Sequence, residues 1–316
     1  MANRARPIDD VLKDAKTPTR LRRLLSEIPS IKAFGEKNGL KPTKNYQDYV
    51  QLDRPAAVWV VSACEPLHFK SKEWGFPVVG SFPYLGWFDL KDAKEYAADL
   101  RKENWDVDVR GAGAYSTLGW FRDSVVSSMI PDGEEALGEL VNVVLHESVH
   151  ATLYISGQAY FNESIANFIA DRLTPPYLWQ KVGKEAPESK AYVEADEASE
   201  QRGEVLHRTY EALSSLYASS KPDSEKLEEK AKILAKVKED LKYKRDINNA
   251  TLVQFKTYHT GIPELEALYR ACGGDAGRLL LALKTVNSKS FKESQQEDLG
   301  PVILPLARAG CRAEKS

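Results

Sequence analysis

Neither sign of charge dominates this 316-residue chain, where 44 Lys and Arg stand against 46 Asp and Glu for a net charge of −2. That balance excludes the strongly basic surface by which nucleic acid or an anionic membrane is usually held. No apolar run approaches the roughly 20 residues that span a bilayer, so no integral membrane segment is expected in the chain. Cysteine is scarce and odd in number: Cys64, Cys272 and Cys311 make no metal-spaced pair and no disulfide framework. A Cys272–Cys311 bridge stays open for an exported protein, but three structural thiols is the simpler reading. No repeat of solenoid length is present. What remains, 42% hydrophobic and 28% charged residues, is the composition of a globular enzyme able to bury a good core in one large domain or two small ones.

Histidine is scarce too. Of the five present, two stand in His146-Glu147-Ser148-Val149-His150, inside the apolar run from Leu140 to Tyr154. A spacing of four puts both imidazoles on one helix face, within reach of a single metal ion. Glu147 can then serve as general base toward water activated at that metal. The alternative is a plain core helix, which Val143, Val144, Leu145 and Val149 would suit. Burying two histidines and a glutamate in such a helix is unfavourable unless something satisfies them. A turn is expected near Ser156-Gly157-Gln158, with Gly157 as the helix stop, followed by a second helix over about 162–172. Glu163 of that helix completes two histidines and a carboxylate, with a fourth position open to water. The set suits one zinc ion, although iron, cobalt or manganese accept similar ligands. Asn167 and Asp171 follow on the face of Glu163 as candidates to accept the free ring N–H of a ligating histidine; a merely solvated Asp171 is as simple.

Elsewhere the chain divides into four regions. Residues 1–56 read as short helices. Residues 57–186 hold the catalytic core, opening with a buried strand at Ala57-Val-Trp-Val-Val-Ser-Ala63. A helix is expected near 90–103, then strands at Asp106 to Arg110 and Ala112 to Leu118. Small residues from Gly111 onward suit an edge strand to which an extended peptide pairs, with Gly113, Ala114 and Tyr115 as substrate contacts and Arg122 as a pocket residue. Residues 187–247 form a charged antiparallel helical hairpin broken at Ser219-Ser-Lys-Pro-Asp-Ser224. Its charges read most simply as a solvated face, with a protein-docking arm as the alternative. Residues 248–316 carry helices at about 262–272 and 275–287 and a less regular tail, and they complete the active site. The fold class is α+β, mostly helical, with a small sheet.

His-Glu-x-x-His followed by Asn162-Glu163-x-x-Ala166 resembles the gluzincin metallopeptidases. Phe76-Pro-Val-Val-Gly-Ser-Phe-Pro-Tyr-Leu-Gly-Trp-Phe88, Ala114-Tyr-Ser-Thr-Leu-Gly-Trp-Phe-Arg-Asp123, and Asn248-Asn-Ala-Thr-Leu with Tyr258-His259 are similar to one narrower group, the bacterial putative zinc aminopeptidase family. The likeness runs over roughly residues 8–275. It implies a gluzincin-like zincin core and zinc-dependent hydrolysis of peptide bonds, with short peptides cut from a free N-terminus. It also implies a second electrophile distant in sequence, for which Tyr258 and His259 are the candidates, on a loop oriented by Asn248 and Asn249. One departure bears on specificity. Gluzincin aminopeptidases hold the substrate α-amino group partly through a glutamate in the strand corresponding to Gly111–Trp120, and no acid stands there. An endopeptidase therefore stays open, as does a non-catalytic scaffold that keeps the fold and docks a partner at 187–247. Glu147 speaks against the scaffold, because holding zinc needs the histidines but not the base. Members of the group commonly begin with an export or lipoprotein signal, whereas Met-Ala-Asn-Arg-Ala-Arg-Pro lacks its hydrophobic segment. The expectation is a periplasmic or lipid-anchored protein if such a signal has been trimmed, and a cytoplasmic one otherwise.

Overall fold

The computed structural model describes residues 4–76, 80–114 and 122–311, with the backbone alone at 257–259. Helix makes up 57% of the chain, alongside small sheets, which is an α+β architecture. In chain order the elements begin with β1 (Arg6–Pro7), α1 (Ile8–Lys13), α2 (Thr19–Ser26), α3 (Ile28–Lys37), β2 (Asp48–Val50), β3 (Val58–Cys64), β4 (Trp74–Phe76), β5 (Gly80–Phe82) and β6 (Leu85–Trp87). Next come α4 (Leu90–Lys102), β7 (Asp106–Ala112), β8 (Val125–Val126), α5 (Ala136–Thr152), α6 (Ala159–Lys181) and α7 (Pro187–Ala218). The last are α8 (Asp223–Asp240), α9 (Asn249–His259), α10 (Ile262–Ala271), α11 (Ala276–Leu283) and α12 (Gly300–Arg308). None of the helices among the described residues is long and apolar enough to cross a membrane. Two compact units share the chain: Met1–Ala57, Gly113–Ala195 and Thr260–Ser316 in the first, Val58–Ala112 and Asp196–His259 in the second.

The first unit is built around α5 and α6. Leu137, Leu140, Val141, Val144, Leu145 and Val149 of α5 are all buried, as are Phe161, Ile165, Ile169 and Leu178 of α6. The α5 residues form one apolar face, whereas α6 is buried without a break from Ala159 to Ala166 and is therefore enclosed on every side. Leu24 and Leu25 of α2, Ile28 and Ile31 of α3, and Leu265, Leu279 and Ile303 of the C-terminal helices join the same cluster. Each such side chain contributes about 1.5–3 kcal/mol on burial. Gly138 lets α5 lie against Tyr192, since a Cβ there would fall 2.4 Å from the Tyr192 ring. A three-stranded sheet in the order β1-β2-β8 pairs β2 antiparallel to β1 and parallel to β8.

Three local expectations are corrected here. Helix α6 continues to Lys181 through Pro175 and Pro176 instead of ending near residue 172. Each proline lacks the N–H that would reach four residues back, to Asp171 and Arg172, both of which are exposed, while buried Tyr177 and Leu178 hold the last turns. The tail after residue 287 contains α12, held by Val302 and Ile303 in the core. Cys272 and Cys311 are not free thiols but a disulfide, with Cα atoms 5.0 Å apart. Packing of α10 on α12 brings them together, since Cys272 ends one helix and Cys311 lies just beyond the other. Cys64 stays a free, buried thiol.

In the second unit β3 is the central strand of a sheet ordered β6-β3-β7, antiparallel throughout. Strand alternation sends Val61 and Ala63 to one face, where they meet Ala93, Ala97 and Leu100 of α4. Cys64 points to the other face, against Ala250 and Val253 of α9. The segment 248–259, read in sequence as a loop, is thus a helix whose apolar side covers a sheet. Leu206, Leu213 and Tyr217 of α7 share a cluster with Leu234 and Val237 of α8, whereas Leu227 is exposed. Not all the hairpin charge is solvated. Lys230 is buried, donating to Asp106 Oδ2 and to the Pro66 carbonyl. Asn249 completes the junction: its backbone N–H donates to Asp106, its Nδ2 to the Glu65 carbonyl, and its Oδ1 accepts from Tyr217.

Candidate metal centre

Two adjacent helices converge on three side chains. His146 and His150 lie one turn apart on α5, and their Nε2 atoms are 3.0 Å from each other. Glu163, in the second turn of α6, reaches them with Oε2 at 3.5 Å from His146 Nε2 and 3.6 Å from His150 Nε2. One donor atom from each of the three lies within 4.8 Å of the others. Bonds of about 2.0–2.1 Å at tetrahedral angles separate ligand atoms by roughly 3.3 Å, so the three spacings fit one zinc-sized ion. Two imidazole nitrogens facing one another at 3.0 Å need a proton or a cation between them.

The turn joining the helices is specified locally. Asn162 Oδ1 accepts from the Ile155 N–H at 2.9 Å, and its Nδ2 donates to the Ile155 carbonyl at 2.8 Å. A side chain holding both polar groups of Ile155 competes with continuation of α5. The helix therefore ends at Thr152 with Leu153 extended, not at Gly157, which instead takes a left-handed φ of 74° later in the turn.

Electrostatics reinforce the convergence. Burial opposes charge on His146, but the hydrogen bond to Glu163 and the carboxylates of Glu147, Glu163 and Asp171 outweigh it and lift the imidazole to about 9. Burial likewise works against the Glu163 carboxylate, yet the two histidines hold it well below the ordinary carboxylate range. Glu147 shifts upward: burial dominates, His146 and His150 oppose it, and Glu163 and Asp123 add to it. Its Oε2 is buried with no hydrogen-bond partner among the described residues. A buried carboxyl whose pKa is raised, beside a candidate cation site, is suited to moving a proton.

The other sequence candidates scatter. Asp171 accepts from Asn142 Nδ2 at 2.9 Å and acts on His146 through its charge. Neither it nor Asn167 bonds to His150 Nδ1, which is buried without a partner among the described residues. Gly113 follows the end of β7, and its carbonyl accepts from Ser128 Oγ at 2.6 Å; Ala114 is partly buried against the core of the first unit. Arg122 is exposed on a cavity of about 680 Å³ lined also by Lys32, Tyr46 and Asp48, whose lining includes none of the three convergent residues. Tyr115 and the side chains of Tyr258 and His259 lie outside the described residues. Asn248 and Asn249 hold a helix against the β3–β7 sheet, which differs from orienting a loop.

Sequence reasoning passed over three groups. Asp123 is buried and biases Glu147. Tyr154 has its ring 6.4 Å from that of His150, and burial and the Glu163 charge push its hydroxyl up to about 12. Asn162 shapes the turn. Tyr154 lies beyond the end of α5, so helical spacing does not mark it, and nothing local marks Asp123.

Comparison with curated proteins and with solved structures finds no match. The family model described as "Putative aminopeptidase" matches residues 1–298, which include all three convergent side chains and Glu147, and the chain belongs to that family.

Proposed function

We propose that this protein is a zinc-dependent metallopeptidase with a gluzincin-like zincin core, acting as an aminopeptidase on short peptides. The observation that carries the reading is the convergence of His146, His150 and Glu163, with donor atoms within 4.8 Å of one another. These three residues would hold the ion. When bound there, zinc supplies Lewis-acid chemistry, polarising a water and the scissile carbonyl. Glu147 takes the proton from the attacking water and passes it to the departing amine, a role that its raised pKa favours. Tyr154 supplies an O–H near Glu163 for the charge that develops on the carbonyl oxygen, with Tyr258 and His259 as the alternatives from sequence. Asn167 and Asp171 would steady the site, Asp171 through Asn142 and its charge on His146.

An endopeptidase is the second reading, favoured by the lack of any acid between Gly111 and Trp120 to hold a substrate amine. Elemental analysis of the purified protein, with a chelator-reversible assay on a peptide panel, tests both. One zinc per chain and hydrolysis of free but not acetylated N-termini is the expected outcome. Equal cleavage of acetylated peptides would transfer the assignment to an endopeptidase. Absence of any chelator-sensitive hydrolysis would leave the scaffold reading, with the 187–247 hairpin as its docking arm.

A further inference from the structure

The stretch 291–298, far from the active-site helices in sequence, is hydrogen-bonded to the turn between them through residues 293–296. Gln295 N–H donates to the Gly157 carbonyl at 2.8 Å. Gln295 Oε1 accepts from the Ala159 N–H at 2.8 Å. Gln158 Nε2 donates to the Glu293 carbonyl at 2.6 Å, and Gln158 Oε1 accepts from the Gln296 N–H at 3.0 Å. Phe291 packs edge-on against Phe161, with ring centroids 5.3 Å apart. All three glutamines are buried, and Gln295 holds a left-handed φ of 51° in doing so. Three buried amides and a backbone conformation unfavourable for a side-chain-bearing residue are more than is needed to tie down a surface tail.

We propose that this segment positions the metal centre, an inference that rests on the metal-binding reading above. Ala159 opens α6, and its N–H is one of the first-turn donors a helix cannot satisfy internally. Gln295 supplies the acceptor, so the C-terminal segment anchors the start of the helix that carries Glu163 four residues on. A helix is stiff along its axis, and a displacement of its first turn is passed to Glu163. The histidines sit on the other side of the clamped turn, so the clamp sets the separation of the carboxylate from the imidazoles. Gln158 and Gln295 are positioning residues: their side chains join the turn to the segment and touch no ion, while Gln296 reaches the turn through its backbone N–H and braces the segment with its side chain.

The test uses the whole protein, stripped of metal and titrated with Zn2+ against a chromogenic chelator. Gln295→Leu keeps the bulk but removes the acceptor for Ala159, and zinc affinity should fall about tenfold or more, as for other residues that orient metal ligands. Gln295→Glu keeps an acceptor oxygen and should restore most of that affinity. Gln158→Glu keeps the acceptor for the Gln296 N–H but sets a carboxylate oxygen against the Glu293 carbonyl, and it should weaken zinc binding as well, which keeps the question answerable if Gln295→Leu does not fold. Wild-type zinc affinity in folded Gln295→Leu, or in Gln158→Glu, would overturn the inference, as would equal losses in the Leu and Glu variants at 295. A lowered melting temperature of the metal-free form with unchanged zinc affinity would mark the segment as structural only, which also overturns it. Failure of the wild-type protein to take up zinc would instead refute the metal reading itself.

Discussion

Glu147 and His146 are neighbours with opposite tasks, and each has its own test. Glu147 is buried and raised in pKa, whereas the donor atoms grouped for an ion come from His146, His150 and Glu163. Glu147→Gln should therefore bind zinc as the parent does while peptide hydrolysis drops by a factor of about 10²–10⁴, the usual worth of a general base. Undiminished turnover in that variant would remove the assignment. His146 governs the metal-free protein. Its pKa of about 9 lies above the 6.5 of a free imidazole, so its pairing stabilises the fold fully below pH 6.5 and that contribution is lost as pH rises through about 9. Glu163 is depressed below 4.5, so its contribution persists above that value and is lost as pH falls through the depressed pKa. Thermal melts of the metal-free protein should accordingly be highest between roughly pH 5 and 6.5. Zinc must displace the His146 proton, so its affinity should climb about tenfold per pH unit toward pH 9; an affinity flat from pH 6 to 8 would contradict the pairing.

At the scale of elements, periodicity and turn signals foretold α4, β3, α7 and α10 to within a residue or two and the starts of α8 and α11, whose ends fall at Asp240 and Leu283, short of the expected 247 and 287. Segments whose order comes from distant partners were not legible. Helix α9 owes its existence to a sheet face it covers, and the end of α5 to Asn162, seven residues beyond Ile155. The α7–α8 hairpin shows the same contrast in its charges. Lys230 is buried with Asp106 and the Pro66 carbonyl, whereas Lys238 pairs with an exposed Asp246. Lys230→Ala leaves Asp106 without its main countercharge and should cost about 3 kcal/mol in urea unfolding, as for other broken buried pairs. Lys238→Ala should change little. Equal effects of the two substitutions would mean that Lys230 is only another surface lysine.

Across the whole molecule the chain leaves its first unit at Ala57, returns at Gly113, and departs again between Ala195 and Thr260. The last return brings the C-terminal helices, and Cys272–Cys311 then closes a loop with a sequence separation of 39. In the chain-entropy treatment a loop of that size is worth about 3–4 kcal/mol. Replacing both cysteines by serine, or adding a strong reductant, should lower the melting temperature by several degrees; an unchanged melt would show that the bridge contributes nothing in solution.

What the sequence determined alone was which side chains could hold an ion. A helix periodicity of 3.6 puts His146 and His150 on one face, and a second amphipathic segment after a short turn carries Glu163, whose convergence with them belongs to the packing of α5 on α6. The tertiary structure decided what lies around those residues: Asp123 beside Glu147, Arg122 on a separate cavity, the bridge of Cys272 to Cys311, and the glutamines that clamp the turn. Local spacing is a property of the backbone and can be read along the chain. Contacts between residues on different elements depend on how those elements pack, which only the folded chain defines.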